Sequence, residues 1–109
     1  MGVVIERFDV YLVILNPTVG SEIRKTRPCL VVSPVEMNRN LSTLIVAPMG
    51  TQGKEFPFRI ACEFAGKTGR IMLDQVRTID KSRLVRKLGV LDDATRTLVL
   101  KGLADVFAE

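Results

Sequence analysis

The chain has 109 residues, 47% of them hydrophobic, and its 16 Lys and Arg against 12 Asp and Glu give a formal net charge of +4. This length predicts one small domain spanning residues 1–109, and the basic excess favours an anionic partner, either nucleic acid or an acidic protein. Histidine is absent and cysteine occurs twice, which removes the commonest general acid–base group and argues against a zinc site. Any catalysis must then use carboxylate, guanidinium, ammonium or hydroxyl groups, and no cofactor is expected.

The N-terminal residues contain neither a basic segment nor a long apolar run. The sequence therefore predicts no signal peptide and no membrane span, and a cytoplasmic location. Cys29 lies within an apolar run, and Cys62 follows Ile60 and Ala61. In a reducing compartment this pattern predicts two buried thiols rather than a disulfide.

Short runs rich in β-branched and aromatic residues predict a mainly β chain. The predicted strands are residues 8–15, 29–33, 42–47, 56–61, 70–76 and 84–90. We expect Pro28 to open the second strand and Pro48 to close the third, because proline cannot donate to a strand ladder. Pro57 makes the fourth an edge strand for the same reason.

Three segments between the strands have the composition of connections. Residues 36–41 predict a helical turn or a loop, residues 49–55 a loop, and residues 66–69 a glycine-flanked turn.

The C-terminal segment predicts a helix rather than a strand. Asp92 or Asp93 can cap its N-terminus, and an apolar stripe recurs at helical spacing. The stripe consists of Thr95, Val99, Leu103 and Val106, and Leu98, Leu100 and Phe107 widen the apolar surface. We expect this helix to be buried on more than one side, against the sheet and against a partner subunit. Short strands with one terminal helix predict a small, partly open β-barrel.

The segment between the first two strands is the first candidate for function. Residues 16–28 carry three cations, one carboxylate and three hydroxyl groups. Loops on a rigid scaffold are where binding and catalytic residues concentrate.

Three motifs in this chain resemble those of the MazF/PemK-type toxins of bacterial toxin–antitoxin pairs. They are NPTVGSE at residues 16–22 with RP at 27–28, VAPM at 46–49 with TQ at 51–52 and FPF at 56–58, and LDQVRTID at 73–80. Their order and spacing match the family over most of the chain. The resemblance implies a mainly β, SH3-like or CcdB-like barrel with a C-terminal helix, forming a homodimer.

The resemblance also implies an activity, namely sequence-specific, metal-independent cleavage of single-stranded RNA. The 2′-hydroxyl of the substrate would attack the phosphate, leaving a 2′,3′-cyclic phosphate and a 5′-hydroxyl. A cognate antitoxin with an acidic, partly disordered tail would neutralise the toxin and complement the basic surface.

Arg27 and Asp74 match residues to which the family assigns catalysis. The planar guanidinium of Arg27 could clamp a phosphate and stabilise its transition state, or it could form a structural salt bridge to Glu22. Asp74 resembles the aspartate that acts in proton transfer from the 2′-hydroxyl. The alternative is a structural carboxylate bonded to Arg27, Arg77 or a loop N–H, since Asp is costly to bury unpaired in a strand.

Position 50 departs from the family pattern, which has Pro-x-Thr-Thr or a similar sequence there. This chain has Pro48-Met49-Gly50-Thr51, so Gly50 can offer only its backbone N–H. Either Thr51 takes over the role of the missing hydroxyl, or the activity is impaired. A structural alternative is a turn glycine with positive φ. Some relatives also carry an arginine two residues before the aspartate, where this chain has Met72.

Further residues are predicted to bind RNA through phosphate contacts, hydrogen bonds and base stacking. They are Thr18, Ser21, Glu22, Arg24, Lys25, Gln52, Lys54, Phe56, Gln75 and Arg77. Lys67, Arg59 and Arg70 could extend the cationic track. The structural alternatives are a solvated charged face and, for Phe56 and Phe58, a place in the core.

Two other function classes remain open from the sequence. A CcdB-like toxin would share the barrel but bind a topoisomerase, and the set Glu22, Arg27 and Asp74 argues against it. A catalytically silent module would bind RNA or antitoxin without cutting, and Gly50 favours that alternative.

Overall fold

The computed structural model of the chain describes residues 4–16, 25–50 and 58–108. The strands are β1 Asp9–Ile14, β2 Thr26–Val31, β3 Thr43–Gly50, β4 Arg59–Phe64, β5 Lys67–Met72, β6 Arg77–Asp80 and β7 Leu84–Val90. The helices are α1 Val35–Asn40 and α2 Asp93–Phe107, and short 3₁₀ turns cover Leu73–Gln75 and Lys81–Arg83. None of the helices in these described ranges is long and apolar enough to cross a membrane.

The described strands form one antiparallel sheet in the order β4-β5-β3-β2-β1-β7, with β6 beside the first half of β3. Residues 43–46 of β3 pair with β6, whereas Met49 and Gly50 pair with β5. Pro48 lies between these two ladders and opposite Cys29 of β2. The prediction that Pro48 closes the strand was wrong, because the gap between the ladders tolerates a residue without an N–H.

The prediction that Pro28 opens the second strand was also wrong. β2 begins at Thr26, and its register with β3 begins at Cys29. Pro28 therefore lies inside β2 but ahead of the β2–β3 ladder. The predicted strands at 8–15 and 84–90 were confirmed as β1 and β7, and β4 is an edge strand as expected.

The turn between β4 and β5 is shorter than predicted. Ala65 and Gly66 have φ values of 52° and 77°, and Phe64 pairs with Lys67 across them. Two central residues with positive φ form the type of turn that fits the twist of a β-hairpin. The predicted turn over residues 66–69 was therefore wrong beyond Gly66, since β5 starts at Lys67.

The predicted strand over residues 70–76 was wrong in its second half. β5 ends at Met72, the Leu73–Gln75 turn follows, and the chain re-enters the sheet as β6. Leu73 is 1% exposed, so burial explains its apolar character without a strand. Continuous apolarity cannot distinguish a buried turn from a strand.

Helix α2 covers one hydrophobic cluster of the sheet. The Asp92 carboxylate accepts a hydrogen bond from the Thr95 N–H at 3.0 Å and caps the helix. A Cβ atom on Gly102 would lie 2.5 Å from Cδ1 of Leu73, so this glycine allows the helix to pack closely on the 3₁₀ turn. The predicted stripe thus faces the sheet, whereas Leu98, Leu100 and Phe107 remain exposed.

The curvature of the sheet brings its edge strands β4 and β7 near one another, although the two strands do not pair. A Cβ atom on Gly89 of β7 would lie 3.0 Å from the Phe64 ring of β4. The result is a half-barrel with an open seam, which confirms the predicted partly open barrel.

Both cysteines are free; Cys29 is buried, as predicted, but Cys62 is only half-buried. Burial raises the pKa of the Cys29 thiol to about 12.

Candidate active site

A cleft of about 430 Å³ lies at the open seam of the half-barrel. The β4–β5 hairpin and β7 form its walls, and the first half of β2 and the end of β3 form its floor. Its described lining residues are Arg27, Pro28, Met49, Gly50, Cys62, Phe64, Ala65, Lys67, Thr68, Gly69, Arg86 and Leu88. The structure therefore brings Arg27 and Gly50 together in one cavity, although they lie 23 positions apart in the sequence.

The described lining of this cleft is cationic. Arg27, Lys67 and Arg86 come from three different strands, and no described lining residue is a carboxylate. Arg86 is placed there by the sheet register, because Leu12 pairs with Pro28 on one side and with Arg86 on the other. Basic groups on separate strands around a concave surface suit a phosphodiester chain.

Gly50 lies where the end of β3 pairs with β5. It is the last residue of β3 and pairs with Arg70, and a Cβ atom on Gly69 would lie 3.0 Å from the Gly50 carbonyl oxygen. Gly50 is a strand residue and not one of the described glycines with positive φ. The alternative of a turn glycine at position 50 was therefore wrong.

Asp74 forms a two-point ion pair with Arg59. Nε of Arg59 donates to Oδ1 at 3.1 Å, and Nη2 donates to Oδ2 at 3.0 Å. These hydrogen bonds hold the pKa of the Asp74 carboxyl below its ordinary value, against the opposing effect of partial burial. The predicted partners Arg27 and Arg77 were wrong, and Asp74 lies in a 3₁₀ turn rather than in a strand.

The structure does not place Asp74 in the cleft that contains Arg27 and Gly50. Asp74 is not among the described lining residues of that cleft, and its side chain is 39% exposed. The chain thus presents two separate candidate elements, an Arg27–Gly50 cleft and an Arg59–Asp74 pair. For the two to act together, one phosphodiester would have to lie within reach of both.

Arg77 and Arg83 hold the end of β1, where the NPTVGSE motif begins. Arg77 donates to the Leu15 carbonyl at 3.2 Å, and Arg83 donates to the carbonyls of Ile14 and Asn16. The predicted RNA contact of Arg77 therefore competes with a backbone contact. Gln75, in the 3₁₀ turn, is half-buried.

Lys25 contacts the first residue of this motif. Its N–H donates to Oδ1 of Asn16 at 3.0 Å, and its own side chain is exposed. Eight of the predicted site residues lie outside the described part of the chain. They are Thr18, Ser21, Glu22, Arg24, Thr51, Gln52, Lys54 and Phe56.

Two predictions about single residues have further outcomes. The proposed Glu22–Arg27 salt bridge also falls outside the described residues, whereas Phe58 is half-buried and packs against the core cluster under α2. The second observation supports a place in the core for Phe58.

No group of three Cys, Asp or Glu residues that could hold a metal ion occurs in the part of the chain that the structure describes.

Sequence reasoning missed the role of three residues. Arg59 was only one member of a general cationic track, Arg83 was not singled out, and Arg86 was not considered. Strand alternation would not have identified Arg86, because the register of β7 with β1 shifts between Leu84 and Arg86.

Comparison with known proteins places the chain in a family. The family model for the PemK-like, MazF-like toxin of type II toxin–antitoxin systems matches residues 6–107. The chain belongs to the PemK/MazF toxin family. Within it, the chain is 38% identical over 96 residues to endoribonuclease EndoA of Bacillus subtilis, covering 83% of each protein. It is 35% identical over 108 residues to endoribonuclease PemK of Escherichia coli, covering 93% of this chain and 80% of that protein.

Solved structures of PemK/MazF family members share the fold. A crystal structure of MazF from Deinococcus radiodurans superposes with a TM-score of 0.84 at 23% identity, covering 96% of this chain and 97% of that one. A mycobacterial endoribonuclease in complex with its cognate antitoxin gives a TM-score of 0.78 at 25% identity, covering 92% and 91%. The predicted family and fold are confirmed.

Proposed function

We propose that this chain is an endoribonuclease toxin that cleaves single-stranded RNA. The observation that carries the proposal is the cationic cleft that holds Arg27 beside Gly50, in a chain whose relatives are named endoribonucleases. A cleft open along a seam suits an unpaired strand, whose phosphates and bases are both accessible.

In the proposed reaction the substrate supplies its own nucleophile. The ribose 2′-oxygen attacks the adjacent phosphorus, its proton passes to the Asp74 carboxylate, and the bond from phosphorus to the 5′-oxygen breaks. The leaving oxygen takes a proton from solvent, which gives a 2′,3′-cyclic phosphate and a 5′-hydroxyl. Arg27 stabilises the charge that develops on the phosphoryl oxygens, while the Gly50 N–H and Thr51 position the phosphate.

The cations around the cleft support a path for the RNA backbone. Lys25 and Arg27 lie at the start of β2, and Lys67 and Arg86 lie on the two walls. Phosphate contacts of this kind supply affinity without sequence preference. The other predicted contacts, among them Gln52, Lys54 and Phe56, would then read the bases.

Gly50 supports a second candidate, a silent module that binds RNA or antitoxin but does not cut. It lacks the hydroxyl that the family pattern has at this position. The CcdB-like alternative has less support, because the curated relatives are named as endoribonucleases rather than as topoisomerase poisons.

The comparison with known structures also supports a proposal about the protein partners of this chain. We infer a cytoplasmic homodimer inhibited by an acidic antitoxin, as the structural relative in complex with its cognate antitoxin suggests. The exposed apolar side chains of α2, namely Leu98, Leu100 and Phe107, supply a surface for such contacts.

The deciding experiment compares the chain with Gly50→Thr on a long single-stranded RNA in the presence of EDTA, with the fragment ends mapped. Cleavage by both proteins with 5′-hydroxyl ends would establish the activity. Cleavage by the threonine variant alone would identify the chain as a disarmed nuclease. An Arg27→Gln control in each background separates this activity from a contaminating ribonuclease, and no cleavage by either protein would overturn the enzyme proposal.

A further inference from the structure

The Arg59–Asp74 pair is built from two strands that meet edge to edge. Arg59 is the first residue of β4, and it pairs in register with Met72, the last residue of β5. Asp74 follows two positions later in the 3₁₀ turn. The guanidinium therefore reaches Asp74 from the neighbouring strand, while Met72 at the end of β5 itself is apolar and buried.

The turn that carries Asp74 is held rigidly from two directions. The Leu73 N–H donates to the Phe58 carbonyl at 2.9 Å, which ties the turn to the start of β4. Beneath it, the Leu73 side chain is buried against α2 at Gly102. A carboxylate on such a platform has little freedom left except the rotation of its own side chain, and the two hydrogen bonds from Arg59 remove that rotation.

Folding stability does not account for this arrangement. The side chains of Arg59 and Asp74 are 18% and 39% exposed, and ion pairs near the surface contribute only about 0–1 kcal/mol. By contrast, orientation of a catalytic group to within a fraction of an ångström matters strongly for rate. A two-point contact on an accessible carboxylate is thus better suited to positioning than to holding the fold together.

The pair also leaves the carboxylate able to act. Each oxygen accepts one hydrogen bond from Arg59, whereas an ionised carboxylate offers about four acceptor positions in total. The remaining positions can accept a ribose 2′-hydroxyl, because the Asp74 side chain is exposed.

We propose that Arg59 is a positioning residue for Asp74, and that it holds the carboxylate oriented and ionised to receive the 2′-hydroxyl proton. This inference rests on the proposed endoribonuclease function. Arg59 acts on the reaction only through Asp74 and makes no contact with the scissile phosphate. The pairing further implies that the carboxylate stays ionised at pH values where an ordinary aspartate begins to take up a proton.

The test compares Arg59→Met and Arg59→Lys in whichever background cleaves, the chain itself or Gly50→Thr. The rate of cleavage is measured as a function of pH, with Lys101→Met on the exposed face of α2 as a matched loss of one charge. We expect Arg59→Met to lower the rate by about tenfold to a hundredfold through loss of orientation. Its acidic limb should move to higher pH, because the pKa of Asp74 rises when the guanidinium is removed.

Two further measurements separate positioning from simple structural support. Added guanidinium ion at millimolar concentration should restore part of the rate of Arg59→Met, and Arg59→Lys should keep the acidic limb low with an intermediate rate. The thermal midpoints of both variants should stay close to that of the parent.

The proposed function and this inference fail in different ways. If the parent cleaves and Arg59→Met shows the same rate and the same acidic limb, the positioning role is overturned and the function stands. If neither background cleaves RNA, the function and the catalytic role of the pair are both overturned.

Discussion

The Arg27–Gly50 cleft and the Arg59–Asp74 pair place arginine side chains in opposite electrostatic settings. The described lining of the cleft contains three cations and no carboxylate, whereas Arg59 is bonded at two points to an ionised partner. The cleft therefore attracts anions, and the pair is locally neutral. The proposed reaction needs both settings at one phosphodiester, a cation for the phosphate oxygens and a carboxylate for the neighbouring 2′-hydroxyl.

Neutralisation by Arg59 explains how a carboxylate can act beside a cationic cleft. A carboxylate inside the cleft would lower its attraction for phosphate and would itself have to be desolvated. Beside Arg59, the negative charge of Asp74 is compensated before any substrate arrives. In the proposed reaction Arg27 contacts the scissile phosphate and Asp74 the adjacent 2′-hydroxyl, so this group has to lie within reach of both side chains.

Loss of the Arg27 guanidinium should have the largest effect on the rate of RNA cleavage. Arg27→Gln should lower the rate of RNA cleavage by about 10²- to 10³-fold, the range found when one donor to a charged transition state is removed. Single-turnover cleavage of a labelled RNA oligonucleotide measures it. Arg27 is exposed in β2, so the variant should unfold at nearly the parent temperature. An unchanged rate would remove Arg27 from the chemistry.

Loss of the Asp74 carboxylate should have the second-largest effect on the rate of RNA cleavage. Asp74→Asn should lower the rate by roughly 10²-fold, at the low end of the contribution of a general base, because Arg27 still stabilises the transition state. Its RNA affinity should stay the same or increase, since Arg59 loses its charged partner. Fluorescence anisotropy with a non-cleavable 2′-deoxy oligonucleotide tests the affinity. Weaker binding by Asp74→Asn would show that the pair holds the binding surface rather than the base.

The walls of the cleft should contribute to binding more than to chemistry. Lys67→Gln and Arg86→Gln should each reduce the slope of log affinity against log salt by about 0.7, the value for one phosphate contact on a single strand. The double variant should lose about twice that slope. Lys101→Gln on α2 is the matched control and should not change it. A slope equal to that of the parent in all four variants would place the RNA outside the cleft.

The smallest effect concerns stability and pH. In the folded state the pKa of Asp74 lies below its unfolded value of about 3.9, so the pair stabilises the fold above that pH and the contribution is lost as pH falls through the folded pKa. Arg59→Met should therefore lower the free energy of unfolding by at most about 1 kcal/mol at neutral pH. The difference from the parent should shrink toward zero in acid. Urea unfolding at pH 7 and pH 3 measures both values, and a difference that grows in acid would contradict the ion pair.

Elements with a local signal were predicted well from the sequence. β7 runs over the expected residues 84–90, and α2 follows the expected cap at Asp92. Alternation, capping and turn residues act within a few positions. Pro48 shows where that reasoning stops, because its place inside β3 depends on the gap between two ladders formed by distant strands.

Some residues of the candidate site were likewise predictable from local sequence motifs, whereas their contacts were not. Arg27, Gly50 and Asp74 stand in or beside motifs that the sequence displays, so they could be identified as candidates from the sequence alone. The partner of Asp74 was predicted wrongly, since Arg59 lies 15 positions away and reaches it only through the β4–β5 register. Arg86 entered the cleft through the pairing of β1 with both β2 and β7.

By itself, the sequence determined the family, the basic character, the restriction to chemistry without histidine, and the amphipathic helix that covers the sheet. These depend on residue types and on spacing along the chain. Only the tertiary structure decided which arginine holds Asp74, which cations share a cleft with Gly50, and where the barrel stays open. Those outcomes depend on strand register and sheet curvature, which arise from packing between segments far apart in the chain.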